Sequence, residues 1–327
     1  MQTRLGQLVR CAAVVLLVVV PLAAQSQTAK YPNRPIRIIV PVPPGGGVDL
    51  LARTIGAKLS ERLGVPVVSE NRPGASAAIG TDALAKAAPD GYTIMMGYTV
   101  HATNALFNPK LPYDTLKDFQ PLAYVCYIPL VLVTPPALAP NSVAELIALA
   151  KAKPGQLSYA SGGAGAGAHL SGELFRYLAK VDVTHIPYKG NGPAITDLLG
   201  GQVSMLFDTI TTSIPHIRAG KMKALAVTGT RRSALLPELP TMIEAGLAEF
   251  EVAGWYMMLA PAGIPRDVLN LLNAEINVAI KDPAIGAKLA SQGVEWEGGT
   301  PERADAFLRG EMSRWGAIIK ATGMKAD

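Results

Sequence analysis

The chain has 327 residues, about two domains' worth, with 49% hydrophobic residues, only 6% aromatic, 32 glycines and 26 prolines. Thirty Lys and Arg against 25 Asp and Glu give a formal charge of +5. Because no basic run accompanies that charge, the balance argues against a nucleic-acid partner, and the composition is that of a globular protein with many short turns.

Residues 1–10 carry two arginines and no acid, 12–24 are almost wholly apolar, and small residues precede Lys30. This is the tripartite pattern of a secretory signal peptide, assigned to residues 1–26 with cleavage expected between 23 and 29. The apolar stretch falls short of the roughly 20 residues that a spanning helix needs. Loss of Arg4 and Arg10 would take the charge from +5 to +3 and leave Cys126 as the one thiol. In its apolar setting Cys126 reads as a small buried hydrophobe.

From Tyr31 onward, apolar strands alternate with amphipathic helices, the grammar of an α/β protein with largely parallel sheets. Residues 36–42 read as a strand. In the helix that follows, Leu51, Ile55, Leu59 and Leu63 recur every four residues before Gly64. A strand at 65–68, a helix at 77–88 and a strand at 92–98 come next. Residues 99–120 show no pattern and are expected to wrap the surface. Residues 122–134 form a strand long enough to pass from one domain to the next.

The same grammar restarts there. Ser142 caps a helix to Ala152 with Glu145 three positions on, a capping box. Strands are expected at 156–160, 183–188, 203–207 and 224–228, with helices at 169–179 and 191–199. A second crossing strand, 256–261, leads to helices at 266–281 and 301–322, whose expected home is the first domain. The division is therefore 30–127 with 254–327, and 128–253. A chain that leaves a domain and returns permits hinge closure.

Four strand-to-helix loops share small residues: 43–49, 71–77, 161–169 and 189–193. Such loops gather where ligands settle in open α/β sheets, and bare N–H groups at a helix start suit an anion. Simple tight turns would also explain any one of them. Asp49 has two readings: a first-turn acid favoured by the helix dipole, or the holder of a water that bridges to an anionic ligand. Gly165 and Gly167 lack the third glycine of a dinucleotide fingerprint. Ser161 lacks a nucleophile elbow, so a hydrolase using it with His169 or Asp208 is the weaker alternative. His169, in the first turn of its helix, is expected to stay neutral and to pack or hydrogen-bond. Asp208, beside Thr209, Thr211 and Thr212, either caps the next segment or faces the cleft. His101, His185 and His216 show no metal spacing.

Several ordered motifs carry a resemblance: Tyr31-Pro32-Asn33-Arg34-Pro35, the P-P-G-G-G-x-D of 43–49, Glu70-Asn71-Arg72-Pro73-Gly74, Pro89-Asp90-Gly91-Tyr92 and Asp197-Leu198-Leu199-Gly200-Gly201. With them, from Tyr31 to its end, the chain resembles the substrate-binding proteins of tripartite tricarboxylate transporters, the Bug or TctC-like family. The resemblance implies an α/β, two-lobed periplasmic-binding-protein fold of type II-like kind. It implies a periplasmic, non-enzymatic monomer that closes around an organic acid and delivers it to membrane transporter subunits, with no cofactor and no metal. A sensor acting on a signalling partner is an alternative within the same fold. The implied ligand-binding set is Val42, Gly45, Gly46, Gly47, Asp49, Gly74, Ala75, Ser76, Ala77, Tyr98, Thr99 and His101 from the first lobe. From the second come Ser161, Gly162, Gly165, Ala166, Gly167, His169 and Asp208. Against the family pattern, Val42 replaces a usual Phe, Ser76-Ala77-Ala78 replaces a more glycine-rich run, and Tyr98-Thr99-Val100-His101 departs from G-T-H-A.

Overall fold

The apolar run Ile36–Val40 forms β1, whose residues are fully buried apart from Arg37, as befits a strand covered on both faces. A computed structural model describes residues 31–45, 47–163, 165–188, 190–290 and 293–325; the expected signal peptide and Gly46 lie outside them. After β1 come α1 (Gly47–Leu63), β2 (Val67–Asn71), α2 (Ala78–Ala85) and β3 (Thr93–Tyr98). β2, β1 and β3 pair in parallel. The four-residue repeat in α1 buries Leu51, Ile55 and Leu59 completely or nearly so. They meet Ile36 and Ile38 in one core cluster.

The stretch expected to be irregular holds a helix, α3 (Val100–Phe107). Its β-branched and polar residues have modest helix propensity, and burial of Val100, Ala102 and Thr103 stabilises it. β4 (Phe119–Thr134) follows and spans the molecule. The second lobe contains α4 (Val143–Ala152), β5 (Ser158–Ser161), α5 (Gly167–Ala179), β6 (Thr184–Pro187), α6 (Asn191–Leu199), β7 (Met205–Thr209), α7 (Ile210–Arg218) and β8 (Lys223–Val227). β5 pairs in parallel with β6 and β7. Ser142 caps α4 as expected, its hydroxyl accepting from the Glu145 N–H at 3.2 Å.

β9 (Ala253–Pro261), α8 (Arg266–Ile280), α9 (Pro283–Ala290), β10 (Glu295–Trp296) and α10 (Pro301–Thr322) complete the described chain. The strand order is β2-β1-β3-β9-β4-β7-β5-β6, with β8 and β10 also on β4. The parallel trios therefore hold within each lobe, and the crossing strands β9 and β4 join them by antiparallel pairing. β4 lies against β9 from Phe119 to Pro129 and against β7 from Leu130 to Val133, so one strand belongs to both lobes.

α10 departs from a single-lobe home. Ala304 and Leu308 pack on the Trp255 and Met257 cluster of the first lobe. Trp315 and Met324 pack with Leu132, Phe175 and Phe207 of the second. Among the described residues no helix is long and apolar enough to cross a membrane.

Candidate functional site

The loop between β1 and α1 is held from beneath. Asp49 lies in the first turn of α1 with 4% of its surface exposed. Its Oδ2 accepts from the Gly45 N–H and Arg53 Nε, each at 3.0 Å. Its Oδ1 accepts from Asn71 Nδ2 at 2.9 Å and faces an Arg53 terminal nitrogen at 3.0 Å. The Arg53 hydrogen bonds above all, with those from Gly45 and Asn71, hold the carboxyl down to about 2. Three hydrogen bonds and the ion pair with Arg53 engage both oxygens, and Asp49 clamps the turn that ends at Gly45.

Asn71 Nδ2 also donates to the Val42 carbonyl at 3.0 Å, and its Oδ1 accepts from Arg53 at 2.9 Å. Arg53 and Asn71 thus bind the ends of β1 and β2 into one unit, a role that sequence reading missed. The i,i+4 spacing of Asp49 and Arg53 was the available signal.

The loop after β2 carries backbone strain. Gly74 has φ +124°, and the three L-residues that follow also sit at positive φ: Ala75 at 48°, Ser76 at 49° and Ala77 at 70°. Each left-handed L-residue costs about 1–2 kcal/mol. Such outliers persist where the surroundings over-determine them: Asn104 of α3 donates to the Ser76 carbonyl at 3.0 Å. Ala77 precedes α2 without a side-chain cap.

Tyr98 faces Tyr256 across the β3–β9 pair, and the Thr99 hydroxyl accepts from the Trp255 N–H at 3.2 Å. His101 is turned away from these loops. Its ring meets Phe119 edge-on at 5.0 Å, is 3% exposed, and neither nitrogen has a hydrogen-bond partner. Burial pushes its pKa down to about 4. It is a neutral core residue, a correction to its expected place beside the ligand.

In the second lobe Ser161 is fully buried, with Oγ 2.7 Å from His185 Nε2 and accepting from the Gly163 N–H at 3.3 Å. A serine enclosed in this way is unavailable as a nucleophile. His169 takes the hydrogen-bonding role expected of it. Its Nδ1 accepts from the Gly165 N–H at 3.1 Å, and its ring stacks on His185 at 4.6 Å. Ala166 is the N-cap residue of α5, which starts at Gly167. Gly162 lies against Asn191, whose Oδ1 a Cβ would approach to 2.3 Å.

Asp208, fully buried at the end of β7, accepts from Asn191 Nδ2 at 2.6 Å, Thr212 Oγ1 at 2.5 Å and Ser213 Oγ at 2.8 Å. Burial raises its pKa. It anchors the first turn of α7 and stands behind the cleft surface, not on it.

Between the lobes lies a cavity of about 280 Å³. Gly45, Gly47, Leu50 and Leu51 line it from the first lobe, Thr209, Thr211 and Thr212 from the second, and Ile128 of β4, Tyr256 of β9 and Val294 complete it. A Cβ on Gly47 would stand 3.1 Å from the Tyr256 hydroxyl; glycine lets the α1 backbone reach the cavity wall. Burial keeps the Tyr256 phenol protonated well beyond its usual range, so it offers a neutral O–H. None of the described lining residues is an acid, lysine or arginine.

Of the expected site residues, Gly45 and Gly47 line this cavity, while Asp49 and Asp208 each support one wall from behind. The threonines, Tyr256 and Ile128 escaped sequence reading because α7 and the register of the crossing strands were not legible. Gly46 lies outside the described residues. Among the described residues no group of three or more His, Cys, Asp or Glu is disposed to hold a metal.

Two α/β lobes, crossing strands that run through both, and a neutral cavity between facing helix starts make up a two-lobed periplasmic-binding-protein fold. The family model described as tripartite tricarboxylate transporter family receptor matches residues 51–324, and the chain belongs to that family. Protein BugT of Bordetella pertussis is 41% identical over 306 residues, covering 93% of this chain and 94% of BugT. The structure of R. palustris Rpa4515 with adipate is 36% identical with TM-score 0.83, covering 90% of this chain and 99% of that one. That of MatC (Rpa3494) from Rhodopseudomonas palustris with bound malate is 33% identical with TM-score 0.78, covering 88% and 100%.

Proposed function

We propose that the protein captures a small carboxylic acid between its lobes in the periplasm and delivers it to the membrane subunits of a tripartite transporter. The observation that carries this reading is the cavity itself. The starts of α1 and α7 face it from opposite lobes, and its walls supply neutral donors and apolar surface. A helix N-terminus with bare N–H groups favours an anion without a fixed cation. Family membership supports the reading, as do the adipate and malate in the names of two related structures.

In this reading one carboxylate sits at the start of α1 beside Gly47 and the Tyr256 hydroxyl, with Asp49, which already holds the Gly45 N–H, acting through the shape of the turn. Residues 31–127 with the α8 region move against 128–253 about β4 and β9, and α10 rides on both. Closure adds contacts that the open form lacks, so the acid shifts the open–closed balance by its differential affinity. A thermal-shift panel of aliphatic, aromatic and amino carboxylic acids against their neutral amides tests it, since a ligand of the folded state raises stability by mass action. Stabilisation by acids and not by amides is expected; stabilisation by amides or sugars alone would overturn the reading.

A further inference from the structure

Gly165 is held from two sides. Its N–H donates to His169 Nδ1, in the first turn of α5, at 3.1 Å, and its carbonyl accepts from the Thr103 hydroxyl of the other lobe at 3.1 Å. A backbone N–H can only donate, so Nδ1 is bare and the imidazole proton is on Nε2. A protonated imidazole donates from both nitrogens. Its Nδ1–H would face the Gly165 N–H, donor against donor, and the bond would be lost. The Thr103 hydroxyl has a second acceptor in the Thr99 carbonyl of its own helix, at 3.4 Å. That hydroxyl keeps a partner when Gly165 withdraws, so release leaves no buried donor orphaned there.

The surroundings offer Gly165 no substitute for the bare nitrogen. From β6, His185 stacks on the His169 ring at 4.6 Å and holds the other end of the same loop through Ser161 Oγ at 2.7 Å. From β5, Tyr159 stacks on His185. Glu173, Arg176 and Tyr177 on later turns of α5, and Lys325 beyond α10, share the cavity that His169 and His185 line. Glu173 is the one acid among those described lining residues, and it already accepts from Arg176 at 2.7 Å and from the Tyr159 hydroxyl at 2.6 Å. α3 brings only Phe107 and Thr103 to this point, and neither titrates.

We propose that His169 is a positioning residue for lobe closure: its bare Nδ1 fixes Gly165 in reach of Thr103, and a proton on that nitrogen releases the contact, so that acid pH weakens capture in the cleft. The proposal rests on the carboxylate reading only for what the cleft captures.

Nitrogen NMR of the ligand-free full chain, labelled at histidine and glycine, tests it from about pH 8 to 5, the range in which imidazoles change charge. At the alkaline end His169 should show a bare Nδ1 and a protonated Nε2. As Nδ1 takes its proton, the Gly165 amide signal should move with the same midpoint. A protonated Nδ1 at the alkaline end, a ring that takes no proton across the range, or a Gly165 amide that ignores the titration would overturn the proposal. Calorimetric titration with succinate and benzoate adds the binding readout. In His169→Asn the side-chain oxygen accepts from the Gly165 N–H and does not titrate. Across the same range the natural chain should lose roughly three- to tenfold in affinity relative to that variant, the worth of one neutral hydrogen bond; taking the ratio cancels protonation of the acid itself. His169→Leu should bind more weakly by a similar factor at the alkaline end, and adding Thr103→Val should cost less than about twofold more, because both changes remove one contact. Parallel pH profiles in the natural chain and His169→Asn, or additive losses in the double variant, overturn the proposal. If neither acid binds, the result counts against the carboxylate reading; in that case, or if His169→Asn does not fold, the nitrogen signals of the natural chain decide the matter alone.

Discussion

The Thr103 hydroxyl donates to the Gly165 carbonyl at 3.1 Å and so ties α3 of the first lobe to the glycine loop of the second. Phe107, one turn further along α3, brings its ring to 6.1 Å from that of His169. Gly165 sits at φ +73°, and a Cβ there would come within 3.0 Å of the Thr103 hydroxyl. The lobes meet here because the loop has no side chain at this point. Thr103→Val keeps the shape and removes the bond, worth about 0.5–1.5 kcal/mol net. Acid affinity should fall roughly three- to tenfold by calorimetry, with a larger radius of gyration in solution scattering at subsaturating acid. Unchanged affinity and scattering would show that the contact does not contribute to closure.

Asp49→Asn removes the ionic half of the clamp under the β1–α1 turn. The folded carboxyl titrates at about 2 against an ordinary 3.8. A depressed acid contributes stability above the ordinary value and loses it as pH falls through the folded one. The variant should be less stable at pH 7 by about 1 kcal/mol, because half-exposed Arg53 is screened. The difference should shrink from pH 4 downward. Urea denaturation at pH 7, 4 and 2.5 measures it, and a gap that widens on acidification would reverse the assigned sign.

Ser76→Gly relieves one of three successive left-handed L-residues. Glycine adopts that conformation without the Cβ clash but costs more unfolded-chain entropy. A net stabilisation of up to about 1 kcal/mol is expected. The corresponding rise in melting temperature is roughly 2 °C for a chain of this size. Ala77→Gly should behave alike, and destabilisation by both would place the strain elsewhere.

His101→Phe should flatten the acid side of the stability profile. The buried imidazole titrates at about 4 instead of 6.5, so the unfolded state binds the proton first. Stability from this group is complete above about pH 6.5 and is lost as pH falls through about 4, a change on the order of 3 kcal/mol. Phe fits beside Phe119 and has no proton to gain. Denaturation curves from pH 7 to 4 should therefore slope less in the variant than in the natural chain; parallel slopes would mean that another group carries the dependence.

Local signals were strong where one segment decides its own structure. α10 runs from Pro301 to Thr322 as expected, because Thr300 caps it by accepting from the Arg303 N–H and Gly323 ends it at φ +68°. The glycine loop at 45–47 was visible for the same reason. Illegible features depend on distant partners. α3 and α7 are rich in Thr, His and Asn, α7 even holds Pro215, and their contacts with the rest of the protein override weak propensity. Tyr256 reaches the cavity through the β9 register, and His185 finds Ser161 only because β5 and β6 pair. Asp49 shows the limit most clearly: its sequence position suggested a cap or a water-holder, and its bond to Asn71 from the next strand depends on the β1–β2 pairing.

A crystal structure of the full chain with the tightest-binding acid of the panel is the most direct test. The expected result puts one carboxylate of that acid at the start of α1, beside Gly47 and the Tyr256 hydroxyl, with the rest of the acid toward Thr209, Thr211 and Thr212. An acid found instead in the cavity of about 370 Å³ between α5 and the end of α10, beside Arg176 and Lys325, would contradict the interlobe site.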